Sequence, residues 1–112
     1  MSEMYEVKVT KYALDQLQEI DDYIANVLMS VEAADNVLSE IENMINSLNS
    51  LPKRMPLVDE EPWRTEGVRK AMVKNFIIYF WIDDKNKKVQ IIAVLYEKRN
   101  QLEQLKIIKD IE

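Results

Sequence analysis

Two apolar stripes at helical spacing, parted by only two residues, constrain this chain more than any other feature of its sequence. Ala13, Leu14, Leu17, Ile20, Ile24, Val27 and Leu28 recur at three- and four-residue steps, as one face of an amphipathic helix requires. Asp15, Glu19, Asp21 and Asp22 lie mostly off that stripe. The pattern predicts a helix of about 18 residues, ~27 Å long at a rise of ~1.5 Å per residue. Thr10 stands where its hydroxyl can accept the backbone N–H of the second or third helical residue. Ser30 breaks the pattern and can cap a second helix, with Glu32 well placed in the first turn. That helix carries the stripe Ala33, Ala34, Val37, Leu38, Ile41, Met44, Ile45 and Leu48. A link as short as Met29-Ser30 forces the two helices antiparallel, as a hairpin.

On either side of the hairpin the period drops to two. Tyr5-Glu6-Val7-Lys8-Val9 alternates as a half-buried strand does. Leu51-Pro52 ends the second helix, and the three prolines of residues 52–62 predict a loop without regular structure. After Gly67, Val68–Lys74, Phe76–Ile82 and Lys88–Tyr96 read as three strands. Lys74-Asn75 marks the first turn and residues 83–87 the second, where Asn86 is the residue best suited to a positive φ. Both phases of the last two strands are largely apolar, as in central strands covered on each face. Asn100–Ile111 spaces Leu102, Leu105, Ile108 and Ile111 like a further amphipathic helix. The order β-α-α-β-β-β(-α) predicts one α+β domain over residues 1–112. Its helical hairpin packs on one face of a mainly antiparallel four-stranded sheet, and the other face is free to be a site.

Composition removes whole chemistries. Without Cys there is no disulfide, thiolate nucleophile or Cys-based zinc site, and without His no imidazole acid–base pair or Ser-His-Asp triad. Gly67 stands alone, so no glycine-rich phosphate loop can form. The longest apolar run, Phe76–Ile82, has seven residues, too few to span a bilayer. Residues 1–4 show neither a basic nor an apolar leader pattern, and the expectation is a cytoplasmic protein with neither cofactor nor metal. The net charge of −5 argues against sequence-independent binding to nucleic acid. That charge is unevenly held, however. Residues 1–50 carry net −8 and residues 51–112 net +3, so the acid belongs to the hairpin and not to the expected working surface.

Several short patterns, in order, resemble the RelE/ParE superfamily of bacterial type II toxins. They are Tyr5-x-Val7-x-x-Thr10-x-x-Ala13-x-x-x-Leu17-x-x-Ile20-x-x-Tyr23-Ile24, the helix start Ser30…Ala33, and Leu48-x-x-Leu51-Pro52. Val68-Arg69, Val73-Lys74-Asn75-Phe76-Ile77-Ile78-Tyr79-Phe80 and Val94-Leu95-Tyr96-Glu97-Lys98-Arg99 follow. Together they run over about residues 5–99, and the long hairpin is more similar to ParE-type than to RelE-type members. The resemblance implies a growth inhibitor neutralised by a cognate antitoxin that wraps the concave sheet face, acting as a dimer or within a toxin–antitoxin hetero-oligomer. ParE-type members poison DNA gyrase, and RelE-type members cut messenger RNA on the ribosome. A homologue that has lost toxicity and persists as a binding partner is a third expectation.

Metal-free RNA cleavage needs a base for a 2′-hydroxyl, cations around the phosphate and an acid for the leaving oxygen. Here Arg69, Lys70, Lys74, Lys98 and Arg99 are the candidate phosphate ligands, and Tyr79, Tyr96 and Glu97 the candidate proton carriers. Arg69, Lys74, Tyr96 and Arg99 make the short list for catalysis. The resemblance sets Ile77 where nuclease members carry an Arg, which leans the expectation toward gyrase. If Ala71 and Val73 point to the helices, Lys70, Met72 and Lys74 point away. If Phe76, Ile78 and Phe80 pack under the helices, Ile77, Tyr79 and Trp81 line the open face. Lys70, Met72, Ile77, Tyr79 and Trp81 are therefore the expected partner-binding surface, apolar with a basic rim. Tyr96-x-x-Arg99 reads either as a polar pair at the groove's rim or as a buried Tyr beside a solvated Arg. Arg69 reads as functional or as an edge ion pair of little worth. Lys53-Arg54 and residues 85–88 read as solvated loop charge, Trp63 as an anchor for the proline-rich loop, and the acidic clusters as solvated faces.

Overall fold

A computed structural model describes residues 4–27, 29 and 31–97. The expected helix at 100–111, Arg99, Lys98 and the Ser30 cap lie outside the described residues. The elements are β1 (Glu6–Val9), α1 (Lys11–Asp22), α2 (Val31–Ser47), α3 (Trp63–Glu66), β2 (Arg69–Val73), β3 (Phe76–Asp83) and β4 (Lys88–Tyr96). The sheet order is β1-β4-β3-β2, with β1 parallel to β4 and the other pairs antiparallel. This is the expected α+β arrangement.

Thr10 starts α1 as expected, its hydroxyl oxygen accepting the Ala13 N–H at 3.2 Å while the hydroxyl donates to Ile91 O at 2.9 Å. One side chain thus caps the helix and ties it to β4. The first helix is not a uniform α-helix. Beyond Asp22 it continues as a π-helical stretch, Tyr23–Val27. Its buried line runs through Ala13, Gln16 and Ile24, and Leu14 of the expected stripe faces outward at 53% exposure. Ala13, Ile41, Ile45 and Leu48 of the hairpin close on Ala71, Val73, Ile78, Phe80, Ile91 and Val94 of the sheet to form the main core.

A β-bulge refines the phase of β4. Tyr79 pairs with Ala93 and Phe80 with Ile91, leaving Ile92 without an opposite residue. The extra residue moves the helix-facing positions from Val89 and Ile91 to Val94, an inversion that simple alternation cannot anticipate. In the β3–β4 turn the positive φ falls on Lys87 (53°) and not on Asn86. Asn86 is otherwise employed, its backbone N–H and Nδ2 both donating to the Asp83 carboxylate at 3.2 and 2.9 Å.

Candidate functional site

The second face of the sheet is where sequence reasoning placed the site, and the structure corrects its expected openness. Residues 51–68 form a strap across it. Val58, Trp63 and Val68 cluster with Ile77, Tyr79, Ala93 and Leu95, making a second core. Ile77 and Tyr79 are therefore buried (2% and 0% exposed) and do not line an open surface. Trp63 anchors the strap as expected. The strap is not devoid of regular structure either, since it contains a 3-10 turn at Pro52–Arg54 and the four-residue α3. Proline opens both without cost because the first helical N–H groups have no intrahelical partner to lose.

Hydrogen bonds hold the strap along its length. Val58 N donates to Val68 O and Lys70 N to Pro56 O, so the strap lays a short antiparallel partner on the outer edge of β2. Arg64 Nη1 donates to Val58 O (3.1 Å), and Trp81 Nε1 to Glu66 O (3.1 Å). Gly67 ends α3 at φ 91°, a left-handed conformation that disfavours a side chain. At the strap's beginning Lys53 Nζ sits 2.7 Å from Asp84 Oδ2, and the Tyr5 hydroxyl donates to Asp84 Oδ1 at 2.8 Å. The Lys53 and Tyr5 hydrogen bonds hold the Asp84 carboxyl below its ordinary range, and the bond to Asp84 raises the Tyr5 phenol. The Lys87 ammonium lies 5.3 Å from the Tyr5 ring centre. This clasp joins residues remote in sequence, and Lys53 reads locally as mere loop charge.

Of the short-listed catalytic side chains that are described, Arg69 stands at the opposite end of β2 from Lys74 and Tyr96. Arg69 Nη1 donates to Met55 O at 2.6 Å, tying strap to edge strand. Lys74, expected to point away from the helices, instead reaches Glu40 of α2 (Nζ–Oε2 3.4 Å). The reason is local: Lys74 occupies the β2–β3 turn at φ 52°, where strand alternation no longer governs direction. Tyr96 opposes Phe76 across β3–β4, ring centres 5.5 Å apart, and Phe76 packs against the helix-side core. Glu97 donates its backbone N–H to Asn75 O. Tyr79 is the one buried side chain among the described residues whose polar atom has no hydrogen-bond partner. Burial, with a smaller contribution from Glu60, pushes its phenol up to about 12, far from use as a base near neutrality. What remains exposed on the second face is Met72 (46%) and Trp81 (38%), with Lys70 half-buried beside them. No group of three metal-ligating side chains occurs among the described residues.

The surface is thus an apolar sheet edge with a basic neighbour, suited to protein contact. The sequence matches the model of the ParE toxin of type II toxin–antitoxin systems over residues 7–101. The fold is similar to that of a protein of the chromosomal ParDE toxin–antitoxin system from P. aeruginosa, with a TM-score of 0.69 and 24% identity, covering 85% of this chain and 98% of that one. It is also similar to a chain of the RelBE2 toxin–antitoxin complex from Mycobacterium tuberculosis, with a TM-score of 0.63, 19% identity and coverage of 83% and 98%. A chain of the archaeal RelE–RelB complex from Pyrococcus horikoshii gives a TM-score of 0.56 at 16% identity, covering 86% and 98%. No curated protein matches the sequence significantly.

Proposed function

The chain belongs to the ParE toxin family of type II toxin–antitoxin systems, and from that premise we propose that it arrests growth by binding DNA gyrase and is neutralised by a cognate antitoxin. One observation carries the choice of a binding inhibitor over a ribonuclease. Arg69, Lys74 and Tyr96 are each engaged within the fold, by Met55 O, Glu40 and Phe76 in turn, and Arg69 stands at the opposite end of β2 from the other two. Cleavage of RNA without a metal needs cations and proton carriers gathered on one phosphate. Ile77, where the nuclease relatives' pattern has an Arg, is an apolar core residue here. An antitoxin partner is supported by the similar chains from M. tuberculosis and P. horikoshii, which belong to toxin–antitoxin complexes. Lys70, Met72 and Trp81 are the part of the second face offered to such a partner, and a toxin–antitoxin hetero-oligomer is the expected assembly.

The second reading, ribosome-dependent messenger cleavage, draws its support from the net +3 of residues 51–112. A supercoiling assay with purified gyrase, run beside primer extension on cellular messages after induction, separates the two. Gyrase inhibition without new message ends is the expected result, and cleavage within codons overturns it. Co-expression of a small antitoxin encoded beside this chain restores growth in either case.

A further inference from the structure

Within the strap, residues 59–67 form a loop closed on a narrow neck. Val58 N donates to Val68 O at 2.9 Å, and beside it Leu57 bridges Arg69 and Lys70 N donates to Pro56 O at 3.1 Å. A surface loop of this size whose ends meet is an Ω-loop, a compact unit packed by its own side chains. The loop binds itself closely. Arg64 N donates to Glu60 O, Glu66 N to Pro62 O and Gly67 N to Arg64 O. Thr65 donates to the Glu61 carboxylate through both its N–H and its hydroxyl, at 2.8 and 2.6 Å. These bonds do not cross to the sheet, so they survive if the loop moves as one body.

Three contacts fasten the loop down. Trp63 is buried in the cluster of Ile77, Tyr79, Ala93 and Leu95. Trp81 Nε1 donates to Glu66 O, and Arg64 Nη1 reaches back to the neck at Val58 O. Closure carries a cost, because it leaves the Tyr79 hydroxyl buried without a hydrogen-bond partner, and a state that admits water there removes that cost. Gly67, at φ 91°, joins the loop to Val68, and without a side chain it leaves that conformation freely. The hairpin-side core shares no buried residue with the cluster under the loop, so it can stay folded while the loop is out. We propose that residues 59–67 are a lid that swings out on the Val58–Val68 neck, withdrawing Trp63 from the second core and admitting water to the Tyr79 hydroxyl. The lid gates the second sheet face: Ile77, Ala93 and Leu95 are covered when it is shut and meet solvent when it is out. Its action does not depend on whether gyrase is the target.

The chain has no cysteine, so one introduced thiol reports on its own surroundings. Ala93→Cys places it under the lid and Ala13→Cys in the hairpin-side core, both at positions with 0% exposure. Labelling of the folded chain by an aromatic disulfide reagent should be at least about tenfold faster at residue 93. It should also be nearly independent of low urea there, while labelling at residue 13 climbs steeply. Tyr79→Phe, which removes the orphaned hydroxyl, should slow labelling at residue 93 several-fold. Hydrogen exchange on the unsubstituted chain checks the same opening without an added thiol. The Val68 N–H, held by Trp63 O at 3.0 Å, should exchange faster and with less urea dependence than the Val94 N–H held by Gln16. Equal rates and urea slopes at the two thiols, or at the two amides, would overturn the proposal, as would labelling at residue 93 indifferent to Tyr79→Phe.

Discussion

Gln16 of α1 accepts the backbone N–H of Val94 through Oε1 at 2.8 Å, a buried bond between residues far apart in sequence. It falls where β1 has ended, since the last β1–β4 pair is Val9 with Ile91. A side chain therefore finishes the hydrogen bonding that the strand leaves incomplete. Gln16→Leu keeps the volume but orphans a buried donor, which costs about 1–3 kcal/mol. Urea unfolding of the two proteins measures it; equal midpoints would deny Gln16 this role.

Tyr79→Phe should have the opposite sign. Its hydroxyl is buried without a partner, and removing it relieves a desolvation cost of about 1 kcal/mol while leaving the ring in place. The expected outcome is a higher Tm. Because the phenol is far from titrating near neutral pH, growth arrest by the variant should be unchanged.

The Tyr5–Asp84–Lys53 clasp gives stability a pH dependence. Asp84 has a folded pKa below its ordinary 3.8, chiefly through the Lys53 hydrogen bond. Its contribution is complete above that ordinary value and is lost as pH falls through the lower folded one. Tyr5 and Lys53 are both raised, so their share is complete below their ordinary values of 10.0 and 10.5 and is lost as pH climbs through the folded ones. Asp84→Asn should lower the urea midpoint at neutral pH and flatten its acid limb, the two proteins converging once pH falls below the folded pKa.

Trp63→Ala tests what the strap covers. The indole is 5% exposed within the second core, and loss of such a side chain costs about 3–5 kcal/mol. Binding of a hydrophobic dye should rise as Ile77 and Tyr79 are uncovered, with helix content retained.

Met72→Asp tests the remaining open part of the sheet face. At 46% exposure the change should leave the melting temperature unmoved. It should weaken the complex with the cognate antitoxin by about tenfold or more, as read by calorimetric titration. Undiminished affinity would place the antitoxin elsewhere.

Much of the fold was legible because periodicity reports faces directly. The hairpin, the Thr10 cap and β4 at Lys88–Tyr96 follow from spacing alone. Alternation correctly sorted Ala71, Val73, Ile78 and Phe80 from Met72 and Trp81. It did not say what covers the second face. The signal was present, since both phases of β3 and β4 are apolar and a strand in water on one side has no reason to be so. Ile77 and Tyr79 looked like an open patch only while the proline-bearing segment was read as a bare loop. Lys74 and Lys87 escaped because left-handed turn residues aim their side chains outside the strand's alternation. The clasp escaped because residues 5, 53 and 84 share no local pattern.

The strand order carries a consequence for biosynthesis. Glu6 finds its neighbour in Lys88, so the earliest strand waits for the latest described one before it has a sheet to join. A ribosome that has delivered only the hairpin and strap has made pieces with exposed stripes and no platform, for non-local pairing of this kind is slow and comes late. A toxin wired this way cannot complete its sheet until Lys88–Tyr96 has been made.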